Sequence, residues 1–144
     1  MSYFSSDAEI ERVGLGLLGR SLPKAEWTHA AHFAAALWLL RHRPDIDPFA
    51  QMPGFIRAYN EAVGGVNSDA EGYHETITQA SLRAAESFLA SCPASEPLYE
   101  VVRRLMASPY GRSDWLLQYW SKARLFSVEA RRSWVEPDLA PLPF

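Results

Sequence analysis

The chain has 144 residues, 48% of them hydrophobic and 22% charged, with a net charge of -3. That balance is that of an ordinary globular protein, and the length suits one domain spanning residues 1–144. The charge and the lack of a long Lys/Arg run speak against nucleic acid as a partner. The single cysteine excludes an intramolecular disulfide and a cysteine-based zinc finger.

No segment alternates apolar and polar residues over a strand's length, whereas helical spacing recurs throughout. The expected fold is therefore all-α: a compact bundle of about six or seven helices with an extended proline-rich tail. Ser6-Asp7-Ala8-Glu9 reads as a capping box opening a first helix to Leu18, with Ile10, Val13 and Leu17 as its stripe. Gly14, Gly16 and Gly19 weaken that helix. A second helix is expected from Glu26 to Arg41. Its stretch Phe33–Leu40 is apolar on every face, which marks a helix buried on all sides. That run is too short to span a bilayer, and the first residues lack the pattern of a secretory signal. Membrane attachment is not expected, and the expected location is cytoplasmic.

Asp47-Pro48 signals the start of a third helix, with a kink expected at Pro53-Gly54 and a left-handed stop at Gly64-Gly65. A fourth helix is expected from Gly72 to Ala90. In that reading His74, Thr78 and Ser81 share a polar stripe. Ser95, Ser113 and Ser127 each open a later helix. The tail Val135–Phe144 carries Leu139, Leu142 and Phe144, suited to an extended segment packed on the surface.

His29 and His32 stand three residues apart at the start of the most apolar helix, so they share one face. Buried imidazoles need partners. With His74 from another helix they form a candidate three-histidine metal site, and imidazole ligands suit Zn, Ni or Fe. In that reading Glu75 transfers protons, Glu26 orients His29 and a small molecule is the substrate. The alternative keeps the histidines structural, His74 bonding Thr78, and makes the chain a non-catalytic interaction module, a homodimer through its aromatic C-terminal third. Asn67, Ser68 and Asp69 read as turn chemistry, Asn60 is left open, and Arg124 is a candidate anion binder. A metal-free polar pocket is the third possibility for the same histidines, and the residues alone leave all three readings standing.

Glu26-Trp27-Thr28-His29-Ala30-Ala31-His32, Gly72–Thr78 and Leu125–Leu139 together resemble a family of small, uncharacterised bacterial helical proteins with E-W-T-H-x-x-H and Y-H-E-T-x-T motifs. The resemblance implies a bacterial helical protein and no particular activity. The fold expectation is also similar to the DinB-like metal-binding bundles, although no histidine follows His74 where a late pair would be expected.

Overall fold

The computed structural model describes residues 3–144. Among these residues there are seven α-helices and no strand, so the chain is all-α. They are α1 (Asp7–Leu18), α2 (His29–His42), α3 (Pro48–Ala62), α4 (Glu75–Ala90), α5 (Leu98–Ala107), α6 (Lys122–Leu125) and α7 (Val128–Arg132). No helix among the described residues is long and apolar enough to cross a membrane.

The all-round apolar character of α2 places it in the middle of the bundle. It packs against α1, α3, α4 and α5, and every residue from Phe33 to Leu39 is buried. The α1 cap forms through Ser6 Oγ, which accepts from the Glu9 N–H at 3.4 Å. The Glu9 carboxylate reaches back one residue further than a capping box requires, to the Ser5 N–H at 2.6 Å. Helix α2 starts at His29 rather than Glu26. A 3₁₀ turn, Lys24–Glu26, precedes it, and Thr28 supplies the cap through Oγ1 to the Ala31 N–H at 3.2 Å.

Helix α3 runs unbroken through Pro53. Proline removes the N–H that would have bonded the Phe49 carbonyl. Gln79 of α4 supplies the missing donor, its Nε2 bonding the Phe49 oxygen at 3.0 Å. The end of α3 closes at Gly64, whose φ is +87°. The Gly65 N–H bonds the Asn60 carbonyl and the Gly64 N–H that of Glu61, two otherwise stranded acceptors.

Helix α4 begins at Glu75, three residues later than Gly72, because Gly72 has φ +85° and a Cβ there would lie 2.1 Å from the Val66 carbonyl oxygen. Asn67 holds this loop closed. Its Oδ1 accepts from Asn60 Nδ2 and from the Tyr73 N–H, and its Nδ2 donates to the Arg57 carbonyl. Ser68 caps a local turn, and Asp69 pairs with Arg132 of α7.

Helix α5 starts at Leu98, after Pro97, rather than near Ser95. The segment expected as a helix from Ser113 is instead a single 3₁₀ turn, Trp115–Gln118, preceded by another at Pro109–Gly111 and followed by α6 with Ser121 as its cap. Trp115 and Trp120 are buried, so these aromatics belong to the core rather than to an outer face. The tail is extended and fastened by polar bonds: Trp120 Nε1 to the Val135 carbonyl, Leu139 N–H to the Tyr119 carbonyl, and Ser121 to the Asp138 carboxylate. Leu142 and Phe144 pack on the core, whereas Leu139 is mostly exposed.

Candidate functional site

Four segments meet around a cavity of about 280 Å³. His29, His32, Phe33 and Ala36 come from α2 and Met52 and Ile56 from α3. Helix α4 gives Ile77, Thr78, Ser81 and Leu82, and the 3₁₀ region gives Ser113, Trp115 and Leu116. Trp27 closes one side. The lining is predominantly apolar, and no Asp, Glu, Lys or Arg contributes to it. A wider recess of about 580 Å³ shares Trp27, His32, Ile56, Ile77 and Thr78 with it, and reaches out to the α3–α4 loop.

Helical spacing brings His29 and His32 to this cavity together, and the main chain fixes the tautomer of each. A carbonyl oxygen can only accept, so the ring nitrogen facing it carries the proton. His29 Nε2 lies 2.8 Å from the Tyr110 carbonyl oxygen, which leaves Nδ1 as the acceptor. His32 Nδ1 lies 2.6 Å from the Thr28 carbonyl oxygen, which leaves Nε2 as the acceptor. Trp27 lies against the His32 ring, with centroids 3.9 Å apart.

His32 is exposed by its accessible surface, although its ring lies against Trp27 and lines the cavity. The protein packed around the ring disfavours the imidazolium and pushes its pKa down to about 4, against the help of the Thr28 carbonyl. Water reaching the ring through the cavity softens the energetic cost, so the direction carries the conclusion: His32 is neutral at neutral pH.

His74 is absent from this cavity and lines only the wider recess, with His32. It is the cap of α4, accepting the Ile77 N–H on Nδ1 at 3.2 Å and donating Nε2–H to the Leu125 carbonyl at 2.7 Å. Both ring nitrogens are therefore committed to the protein. Its partners are Ile77 and Leu125, not Thr78. Burial, and secondarily Arg131, lowers its pKa as well. Among the described residues no group of three or more His, Cys, Asp or Glu side chains is arranged to hold an ion. As His74 is bonded, it has no ring nitrogen left to offer an ion alongside His29 and His32.

Glu75 lies outside both cavity walls and accepts a hydrogen bond from the Tyr73 hydroxyl. Glu26 binds Arg12 of α1 rather than orienting His29, a task the Tyr110 carbonyl performs. Arg124 is engaged by the Glu136 carbonyl at 2.6 Å. Asn60 belongs to the loop network.

One group is left over. Trp115 is 1% exposed, and its indole Nε1–H has no hydrogen-bond partner. Buried donors are rarely left unpaired, and this one belongs to a residue of the cavity wall. The sequence gives Thr78 and Ser81 as a polar stripe, but nothing local in it marks Ser113, Trp115, Met52 or Ile56, because their meeting depends on the packing of distant segments.

Two expected results follow from this geometry. His74→Ala should cost about 1–2 kcal/mol in urea unfolding, the loss of a cap and a buried bond, and leave the cavity's binding properties in place. Stability unchanged in His74→Ala would refute its role as a cap. The second concerns pH. Between about 4 and the ordinary 6.5 the unfolded His32 binds a proton that the folded one refuses. Its contribution is therefore complete above 6.5 and lost as pH falls toward 4. The urea midpoint should drop on going from neutral pH to about pH 5, and His32→Gln should shrink that drop. An equal drop in both proteins would assign the acid sensitivity to other groups.

No family model, curated protein or solved structure matches the chain. The functional reading therefore rests on the site itself.

Proposed function

We propose that the chain binds a small organic molecule in the cavity between α2, α3, α4 and the Trp115 turn, without a metal ion. The observation that carries this reading is the cavity's composition. An apolar wall with a few convergent polar groups is the usual make-up of a small-molecule site, and about 280 Å³ is near the small end of such sites. The ligand is accordingly a compact one, far smaller than a dinucleotide. The two imidazole acceptors supply the orienting groups.

Ala36 is buried in α2 and lines the wall, so Ala36→Leu narrows the cavity without touching a polar group. A thermal-shift screen of small neutral compounds should yield hits for the natural chain that Ala36→Leu abolishes while remaining folded. Hits retained undiminished in Ala36→Leu would move the binding site elsewhere.

A second reading places a divalent ion (Zn, Ni or Fe) on His29 and His32 alone. One observation favours it: each ring gives its N–H to a main-chain carbonyl, the arrangement that commonly orients metal-ligating histidines. Plasma mass spectrometry separates the two. About one equivalent of metal, lost in the His29→Ala/His32→Ala variant, would favour the ion; none after incubation with each metal would favour the metal-free cavity.

A further inference from the structure

We infer that the cavity selects a neutral ligand with an apolar, ring-sized body and a hydroxyl or N–H donor, which it delivers to His32 Nε2. This rests on the small-molecule reading above and adds the chemical class.

The inner cavity's wall holds no fixed charge among the described residues, and Lys24 and Glu71 line only the outer recess. A charged ligand would lose its hydration there and find no counter-ion, so neutral molecules are favoured. The polar groups then set the ligand's own polarity. His32 Nδ1–H is spent on the Thr28 carbonyl at 2.6 Å, and His29 Nε2–H on the Tyr110 carbonyl at 2.8 Å. What each ring has left is a lone pair, and a lone pair asks for a donor. Of the two, His32 has the greater accessible surface and lines both the inner cavity and the outer recess, so it meets a ligand at the junction. Its neutrality at neutral pH keeps that lone pair available.

The hydroxyl of an alcohol or phenol supplies the donor that His32 Nε2 asks for. The aromatic walls, Trp27 and Phe33 among them, suit a flat body.

The test uses three probes of nearly one shape: p-cresol, which donates and accepts; p-methylanisole, which only accepts; and toluene, which does neither. Affinities for the full chain are measured by calorimetry at neutral pH. The expected order places p-cresol about tenfold tighter than the other two, the worth of one neutral hydrogen bond. His32→Leu, checked for folding by circular dichroism, should bring p-cresol to the level of toluene. In the natural chain, the His32 Nε2 nitrogen resonance should move on adding p-cresol and not on adding toluene, which tests the contact even if the variant does not fold. Equal binding of all three probes would overturn the inference and leave the small-molecule reading intact. A p-cresol preference unaffected by His32→Leu, with a still Nε2 resonance, would also overturn it. Failure of every probe to bind would count against both.

Discussion

Thr76→Val should unfold far more easily than the natural chain, by on the order of 3 kcal/mol, although valine has nearly threonine's shape. Thr76 is fully buried at the start of α4. Its hydroxyl lies 2.7 Å from the Ala130 carbonyl oxygen and 2.9 Å from that of Ser133, and accepts the Val135 N–H at 3.2 Å. One side chain thus serves the end of α7 and the start of the tail together. Valine fills the space, leaves no cavity and strands those main-chain groups away from water. Each buried group left without a partner costs about 1–3 kcal/mol. Thr76→Ser keeps the hydroxyl and removes only a methyl, so it should lose about 1 kcal/mol. Urea unfolding of the two variants decides the matter. A valine variant as stable as the serine one would show that the hydroxyl does not fasten the tail.

The second large effect concerns glycine inside helices. Gly14→Ala should destabilise the chain by about 1–2 kcal/mol, although alanine is the better helix former by about 1. A Cβ on Gly14 would lie 2.2 Å from Cε3 of Trp38 and within 2.8 Å of two further atoms of that ring. The obstacle is the body of a buried indole at the α1–α2 contact, so it cannot swing aside as the tip of a long side chain would. Gly54, in α3, offers the matched comparison: a Cβ there meets nothing within 4 Å. Gly54→Ala should stabilise by about 0.5–1 kcal/mol. Thermal or urea unfolding should therefore separate two identical substitutions in opposite directions. Stabilisation by both would show that α1 and α2 are less closely packed at Trp38.

Gly14 also shows how far local pattern reaches. As sequence it only weakens a helix. Its purpose is visible once α2 brings Trp38 against it. The elements whose signals are local could be read directly: the Ser6 cap, the Asp47-Pro48 start, the Gly64-Gly65 stop and the uniformly apolar α2. Those set by distant partners could not. Gly72-Tyr73-His74 has helical spacing, but the loop held by Asn67 keeps it out of α4. Trp115, Leu116, Tyr119 and Trp120 stand at helical intervals, and the stretch from Trp115 to Gln118 is still a 3₁₀ turn with Trp115 packed into the core.

The candidate site divides in the same way. His29 and His32 could be paired from spacing alone because both lie on one turn of one helix. The separation of His74 from them depends on the Leu125 carbonyl, 51 residues further along the chain. The remaining wall, from α3 and the Trp115 turn, left no trace in any single segment.

The chain has five tryptophans, and their indole N–H signals form a small, separate group in a proton–nitrogen correlation spectrum. Two of them, Trp27 and Trp115, line the cavity; Trp120 and Trp134 spend their N–H on the Val135 carbonyl and the Glu136 carboxylate, and Trp38 packs beside Gly14. Titration with p-cresol is the most direct test of the cavity as the functional site. The Trp27 and Trp115 signals should move together and saturate, while those of Trp38, Trp120 and Trp134 stay in place. Five unmoved signals, or movement confined to the latter three, would contradict a ligand site between α2, α3, α4 and the Trp115 turn.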